Sequence, residues 1–114
     1  MSILSREQFA EFGKRRYVEV ELPQGKVRLQ SLTEMERGDF NAEMLDEEGK
    51  VDKESTKAGT AKLLVRMIVD EQGILVFHAN EWPVIAAWDS LITEQLGDAA
   101  RKHIGFDRDN EKKS

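Results

Sequence analysis

Residues 17–36, YVEVELPQGKVRLQSLTEME, read as a β-hairpin that runs straight into a helix. Val18, Val20 and Leu22 alternate with Glu19 and Glu21, the period-two pattern of a strand with one buried face. Pro23-Gln24-Gly25-Lys26 carries turn chemistry, because Pro presets φ and Gly tolerates positive φ. The alternation resumes over 27–32, with Val27 and Leu29 set against Arg28 and Gln30. A slip of one residue would carry every apolar side chain to the wrong face, so the loop must hold an even number of residues. The predicted loop is the four residues 23–26, which pairs Val20 with Leu29, Leu22 with Val27 and Glu21 with Arg28.

Thr33 with Glu36 three residues on forms a T-x-x-E capping box, and Glu34 adds charge at the positive end of the helix dipole. A helix is predicted over 34–47, with Phe40, Met44 and Met35 inward and Gly49 as its stop. From Glu34 to Glu54 there are nine acidic and three basic residues, read as a solubilising surface with a partner-binding patch as the alternative.

On the N-terminal side, Ser5 is placed to cap a short helix over 6–12 that Gly13 ends. Phe9 and Phe12 either dock on the core or belong to a loosely held arm. On the C-terminal side, a polar connection over 49–54 precedes a helix over 55–70. Its buried stripe is Ala58, Ala61, Leu64, Val65 and Ile68; Leu63 and Met67 lie off that stripe, so burial on more than one side is expected. Residues 70–73 are a turn, and 74–77 are an extended apolar segment too short to assign as a strand. Asn80 caps the next helix, over 81–96, with Pro83 in its first turn. Ile85, Trp88, Ile92 and Leu96 face inward, with Leu91 at the margin. Gly97 interrupts that helix, a short one follows over 98–104, and Gly105 closes it. The predicted fold is α+β, mainly helical, with one N-terminal hairpin packed on three to four helices. One domain is expected over 1–106, with a disordered tail over 107–114 that has no apolar residue.

A chain of 114 residues holds one modest core. A net charge of −5 argues against nucleic acid as the partner. The local run Lys14-Arg15-Arg16 is read as a solvated edge rather than a phosphate site. With no cysteine, disulfides and thiol catalysis are excluded. No stretch has the length of a signal-peptide core or a membrane span, so a soluble, intracellular protein with no membrane role is expected.

The search for chemistry returns no catalytic residue. His78 and His103 stand 25 positions apart without ligand-spaced companions. Residues 46–52, DEEGKVD, imitate a calcium loop but place Lys50 where a ligand is required. Phosphate-loop, dinucleotide and nucleophile-elbow motifs are missing. No cofactor, no metal and no enzymatic activity are expected. Trp82 and Trp88, six apart, cannot share one helix face; Trp82 is read as a core or staple residue, with a contact role as the alternative.

The run Arg28-Leu29-Gln30-Ser31-Leu32-Thr33-Glu34-Met35-Glu36-Arg37 resembles the tail assembly chaperones of bacteriophages and prophages with long non-contractile tails. There, a basic residue and Leu end a strand, and a Leu-Thr with a Glu-rich segment starts a helix. A second matching feature is an apolar helix ending at Val69-Asp70, then Gly73, Phe77 and a capped helix. The resemblance spans about 13–106; the apolar Ile74-Leu75-Val76 and Trp82 depart from it. It implies a morphogenesis factor of the host cytoplasm, absent from the finished virion. Such a factor binds the tape-measure protein and helps recruit tail-tube subunits. In many relatives a frameshift adds an extension, which would join here after Phe106. The competing expectation is a structural tail component, adaptor or completion subunit. Homo-oligomerisation stays open. For protein binding, Trp82, Leu63 and Met67 are the residues singled out.

Overall fold

The computed structural model describes residues 2–53 and 57–105. The expected tail over 107–114, Phe106, and the start of the helix over 55–70 lie outside the described residues.

The hairpin is formed by β1 (Tyr17–Leu22) and β2 (Gly25–Gln30). The pairing runs Tyr17 to Gln30, Val18 to Leu29, Glu19 to Arg28, Val20 to Val27, Glu21 to Lys26 and Leu22 to Gly25. The loop is therefore even, as the alternation requires, but it is the two residues Pro23-Gln24 and not the predicted 23–26. Parity admits both lengths. The choice falls to Gly25, whose φ of 145° lets the strand resume at once. The outer-face partner of Arg28 is consequently Glu19, at 3.1 Å, and not Glu21.

A third strand, β3 (Ile68–Val69), pairs antiparallel with β2, placing Ile68 beside Leu29 and Val69 beside Arg28. This strand occupies the end of the predicted helix 55–70. Within that stretch α3 runs over Gly59–Val65, with Gly59 as its first residue. Leu75, within the segment 74–77, makes an isolated bridge to Val69. Sheet order is β1-β2-β3. Ala58, Ala61, Leu64, Val65 and Ile68 are buried as predicted, and Leu63 and Met67 join them, so α3 and its exit are covered on more than one side.

Five α-helices lie wholly within the described residues. In the arm, α1 (Arg6–Phe9) passes into a 3-10 turn, Ala10–Gly13. Neither contains a buried residue, which settles the choice between docking on the core and an arm in favour of the arm. Phe9 and Phe12 pack edge-on against each other, centroids 5.3 Å apart. Next, α2 (Glu34–Glu43) begins at the predicted cap: the Thr33 amide donates to Glu36 Oε1 at 2.8 Å, and the Glu36 amide donates to Thr33 Oγ1 at 3.2 Å. It ends four residues before the predicted 47. The reason is Asp46, whose carboxylate accepts the amides of Glu48 and Lys50 and so offers the backbone an alternative to the helix. Gly49, with φ of 82°, closes that turn and does not stop the helix. Phe40 packs toward the core, whereas Met35 is exposed.

The predicted helix 81–96 is two helices, α4 (Trp82–Ala86) and α5 (Ser90–His103). The break lies at Asp89, which accepts the Leu91 amide at 2.9 Å as the N-cap of α5. Asn80 is not the cap of α4; a 3-10 turn, Ala79–Glu81, leads into it, and the His78 amide donates to Glu81 Oε1. Pro83 sits in the first turn as predicted. Ile85 and Leu96 are buried, Trp88 and Ile92 half-buried, and Leu91 lies outside the inner face. Gly97 does not interrupt α5, which continues through it to His103; Gly105, φ 80°, ends it.

Two contacts set α5 along the outer edge of β1. Gln95 Nε2 donates to the Glu21 carbonyl at 3.3 Å, and Arg16 Nη2 donates to the His103 carbonyl at 2.7 Å. The helix thus runs antiparallel to the strand and covers an edge that would otherwise invite another chain. The close approach of α5 to α3 explains Gly97: a Cβ there would lie 2.8 Å from Thr60 Cγ2. Gly97→Ala is expected to destabilise by about 1–2 kcal/mol despite the better helix propensity of Ala. Thr60→Ser removes the clashing methyl, keeps the hydroxyl that Arg101 bonds, and should restore most of the loss. Urea unfolding of the single and double variants checks this; a stabilised Gly97→Ala protein would refute the close-approach account.

Candidate functional site

Electrostatic attachments among the described residues hold α2 to the rest of the chain. Arg15 makes a two-pronged contact with the Glu36 carboxylate, its second prong at 2.7 Å, and donates to the Ser31 carbonyl at 2.8 Å. Arg66 pairs with Glu43 at the other end of the helix, and Arg37 Nη1 lies 3.4 Å from the Ile104 carbonyl. No α2 side chain is fully buried. Apolar contact comes from Phe40, which packs toward the core with the Arg66 guanidinium 6.0 Å from its ring centre. The bond from Arg15 is the main reason the Glu36 carboxyl is held down at about 2 from its ordinary 4.5; the capping bonds from Thr33 add to it, and partial burial opposes it.

The basic run 14–16 is therefore occupied internally. Lys14 pairs with Glu11, Arg15 with Glu36, and Arg16 with the His103 carbonyl. His103 Nε2 in turn lies 3.1 Å from the Arg16 carbonyl, and His78 supplies a turn amide, so the two histidines serve separate local structures. The calcium-like loop turns its Asp46 carboxylate onto its own backbone amides. Asp70 does the same with Gln72 and Ile74, so DEEGK and DEQGI are two copies of one turn design. Among the described residues no group of three or more His, Cys, Asp or Glu side chains is placed to hold a metal. Nor is any helix there long and apolar enough to cross a membrane.

Two apolar depressions stand out among the described residues. The larger, about 330 Å³, lies between the hairpin tip and the α4–α5 elbow, with Leu22 and Val27 on one wall and Trp88, Ile92 and Leu96 on the other. Gln24 and Asp89 form its polar rim. Phe77 holds the elbow by an edge-on contact with Trp88, centroids 5.9 Å apart. The smaller, about 180 Å³, lies beneath α2, with Phe40, Met44, Leu63 and Ile104 as its floor and Arg37 and Arg101 at its rim.

Of the residues singled out from sequence, Met67 is 0% and Leu63 2% exposed, and both are core residues. Leu63 only reaches the floor of the smaller cleft. Trp82 is half-buried against the core, with Lys62 Nζ 5.0 Å from its ring centre. These three do not form one surface. Sequence reasoning missed the open groove, because each of its apolar residues was already assigned to a buried face. The signal available was the surplus of apolar residues at the hairpin tip. No protein-family model, curated protein or solved structure matches the chain.

The Glu36 contact yields a pH-dependent prediction. A carboxyl with a depressed folded-state pKa stabilises the fold fully above its unfolded value near 4.5, and that contribution fades as pH falls toward about 2. Glu36→Gln keeps a capping side chain but loses the charge. It should cost about 1 kcal/mol at neutral pH, a modest figure because the pair is partly solvated. The gap between the two proteins should narrow progressively between pH 5 and pH 2, followed by thermal melts; a pH-independent gap would refute this role.

Proposed function

We propose that this chain is a tail assembly chaperone of a long-tailed bacteriophage or prophage. In this reading it binds the tape-measure protein in the host cytoplasm and helps recruit tail-tube subunits. The observation that carries the reading is the strand-to-helix junction over 28–37. The residues on which the resemblance rests form a strand end, a capping box and a helix start in that order. The open groove at the hairpin tip adds support, since Val27, Trp88 and Ile92 offer an apolar trough to the stripe of a partner helix. The exposed carboxylates of Glu34, Asp39 and Glu47 would then keep a complex with a long apolar helix in solution. The work is reversible binding, with no bond made or broken.

Co-expression with the tape-measure protein of the same gene cluster tests it. Affinity capture of this chain should retain the tape-measure protein. Ile92→Asp should weaken retention at least about tenfold while a cooperative melt persists. Mass spectrometry of purified particles should find the chain missing. Failure to capture the tape-measure protein would overturn the proposal, and stoichiometric presence in particles would favour a structural tail subunit instead.

A further inference from the structure

The two edges of the sheet are treated differently. The β1 edge lies along α5, through Gln95 and Arg16. At the other edge the segment 74–76 is bridged to β3 by the pair Val69 and Leu75. The Asp70 amide donates to the Ile74 carbonyl at 2.8 Å, and the Val76 amide donates to the Ile68 carbonyl at 3.1 Å. These bonds flank Val69 and Leu75, so that pair exchanges none of its own. The Leu75 amide and carbonyl therefore point away from β3, and among the described residues neither has a hydrogen-bond partner. The side chains are open as well: Ile74 is 63%, Leu75 45% and Val76 52% exposed.

Edges are normally guarded by charge, Pro or a bulge. Residues 72–80, QGILVFHAN, contain no Asp, Glu, Lys, Arg or Pro, in a chain that is 34% charged. We propose that this edge pairs antiparallel with the same edge of a second copy of the chain, about a twofold axis at Leu75. Each Leu75 amide then donates to the other copy's Leu75 carbonyl, and Ile74 of each copy lies opposite Val76 of the other. Two features select a second copy over a flexible peptide. The first is length. Gly73, at φ 80°, turns the chain aside before Ile74, and Phe77 is committed to Trp88, which leaves a ladder of three residues. One outward amide–carbonyl pair is too little to order a free peptide, whereas a folded copy brings its edge already ordered and matched in length. The second is charge. Two chains of net charge −5 repel each other, and this uncharged edge lets them meet without like charges opposed. Because α5 covers the β1 edge, the pairing closes at two copies. The inference stands apart from the chaperone reading: Ile74-Leu75-Val76 depart from that resemblance, and the pairing needs no tail protein.

Sedimentation equilibrium of the purified full chain tests it. The chain should be a reversible dimer. Leu75→Pro deletes an amide that bonds nothing within the chain, and should raise the dissociation constant at least about tenfold. Ile74→Lys/Val76→Lys sets like charges opposite each other across the axis and should give a monomer, as should Ile74→Glu/Val76→Glu. Both double variants should keep a cooperative melt, because the replaced side chains are exposed. Mixing the two should restore a dimer that holds one copy of each. A monomer of the parent chain at every concentration would overturn the proposal and leave the edge to a strand of another protein. Assembly beyond two copies, a dimer indifferent to the substitutions, or a failure of the opposite-charge mixture to associate would overturn it too.

Discussion

The fold depends on burying one face of a three-stranded sheet. Val18, Leu29 and Ile68 form a single row across that sheet, and Leu29 at its centre is fully buried. The neighbouring row, Glu19, Arg28 and Val69, faces the other way and carries an ion pair. A one-residue slip in β1 or β2 would exchange the two rows, exposing Val18, Val20 and Leu22 and burying glutamates; this is why the register is sharply specified. Every other element is placed by the sheet. The helix α3 delivers β3 to β2, α5 covers the β1 edge, and α2 is launched from the end of β2.

Attachment of the parts to that frame is uneven. Leu64, Met67, Ile85 and Leu96 bind α3, its exit, α4 and α5 to the sheet through complete burial. The helix α2 is held instead by Arg15–Glu36, Arg66–Glu43 and the half-buried Phe40, and the arm by the residues at its base. Such contacts weaken as salt screens them, whereas burial does not. The helix over the smaller depression is therefore more easily displaced than the elements around the larger one.

Much of the frame was legible in the sequence because it rests on local rules. The alternation from Val18 to Leu29 marked the hairpin and its parity, and Thr33 with Glu36 marked the helix start. What escaped depended on competition between rules. Pro23 and Gly25 allow loops of two or four residues, and the freedom of Gly25 decides for two. Ile68 continues the apolar stripe of α3, yet it is a strand residue, because Leu29 lacked a partner on that side. Asp89 carried a cap signal that helical periodicity on both sides concealed. Gly97 looks like a helix breaker, and only the approach of Thr60 reveals it as a contact glycine. The open groove left only a faint signal in the apolar residues of the hairpin tip, because it is made by elements far apart in sequence that leave space between them.

The register of the hairpin underlies this account, and cross-strand nuclear Overhauser effects measure it directly. In an antiparallel pair, close Hα–Hα contacts come from the residues that do not exchange hydrogen bonds, where the Cα atoms are about 4.5 Å apart. The Ser31 amide donates to the Arg16 carbonyl, so the alternation makes Glu19 with Arg28 and Glu21 with Lys26 such close pairs. Strong Hα–Hα effects for those two pairs are the predicted result. A strong effect between Glu21 and Arg28 would contradict the account, because it would require the longer loop and move the partners of Leu29 and Arg28 along the whole sheet.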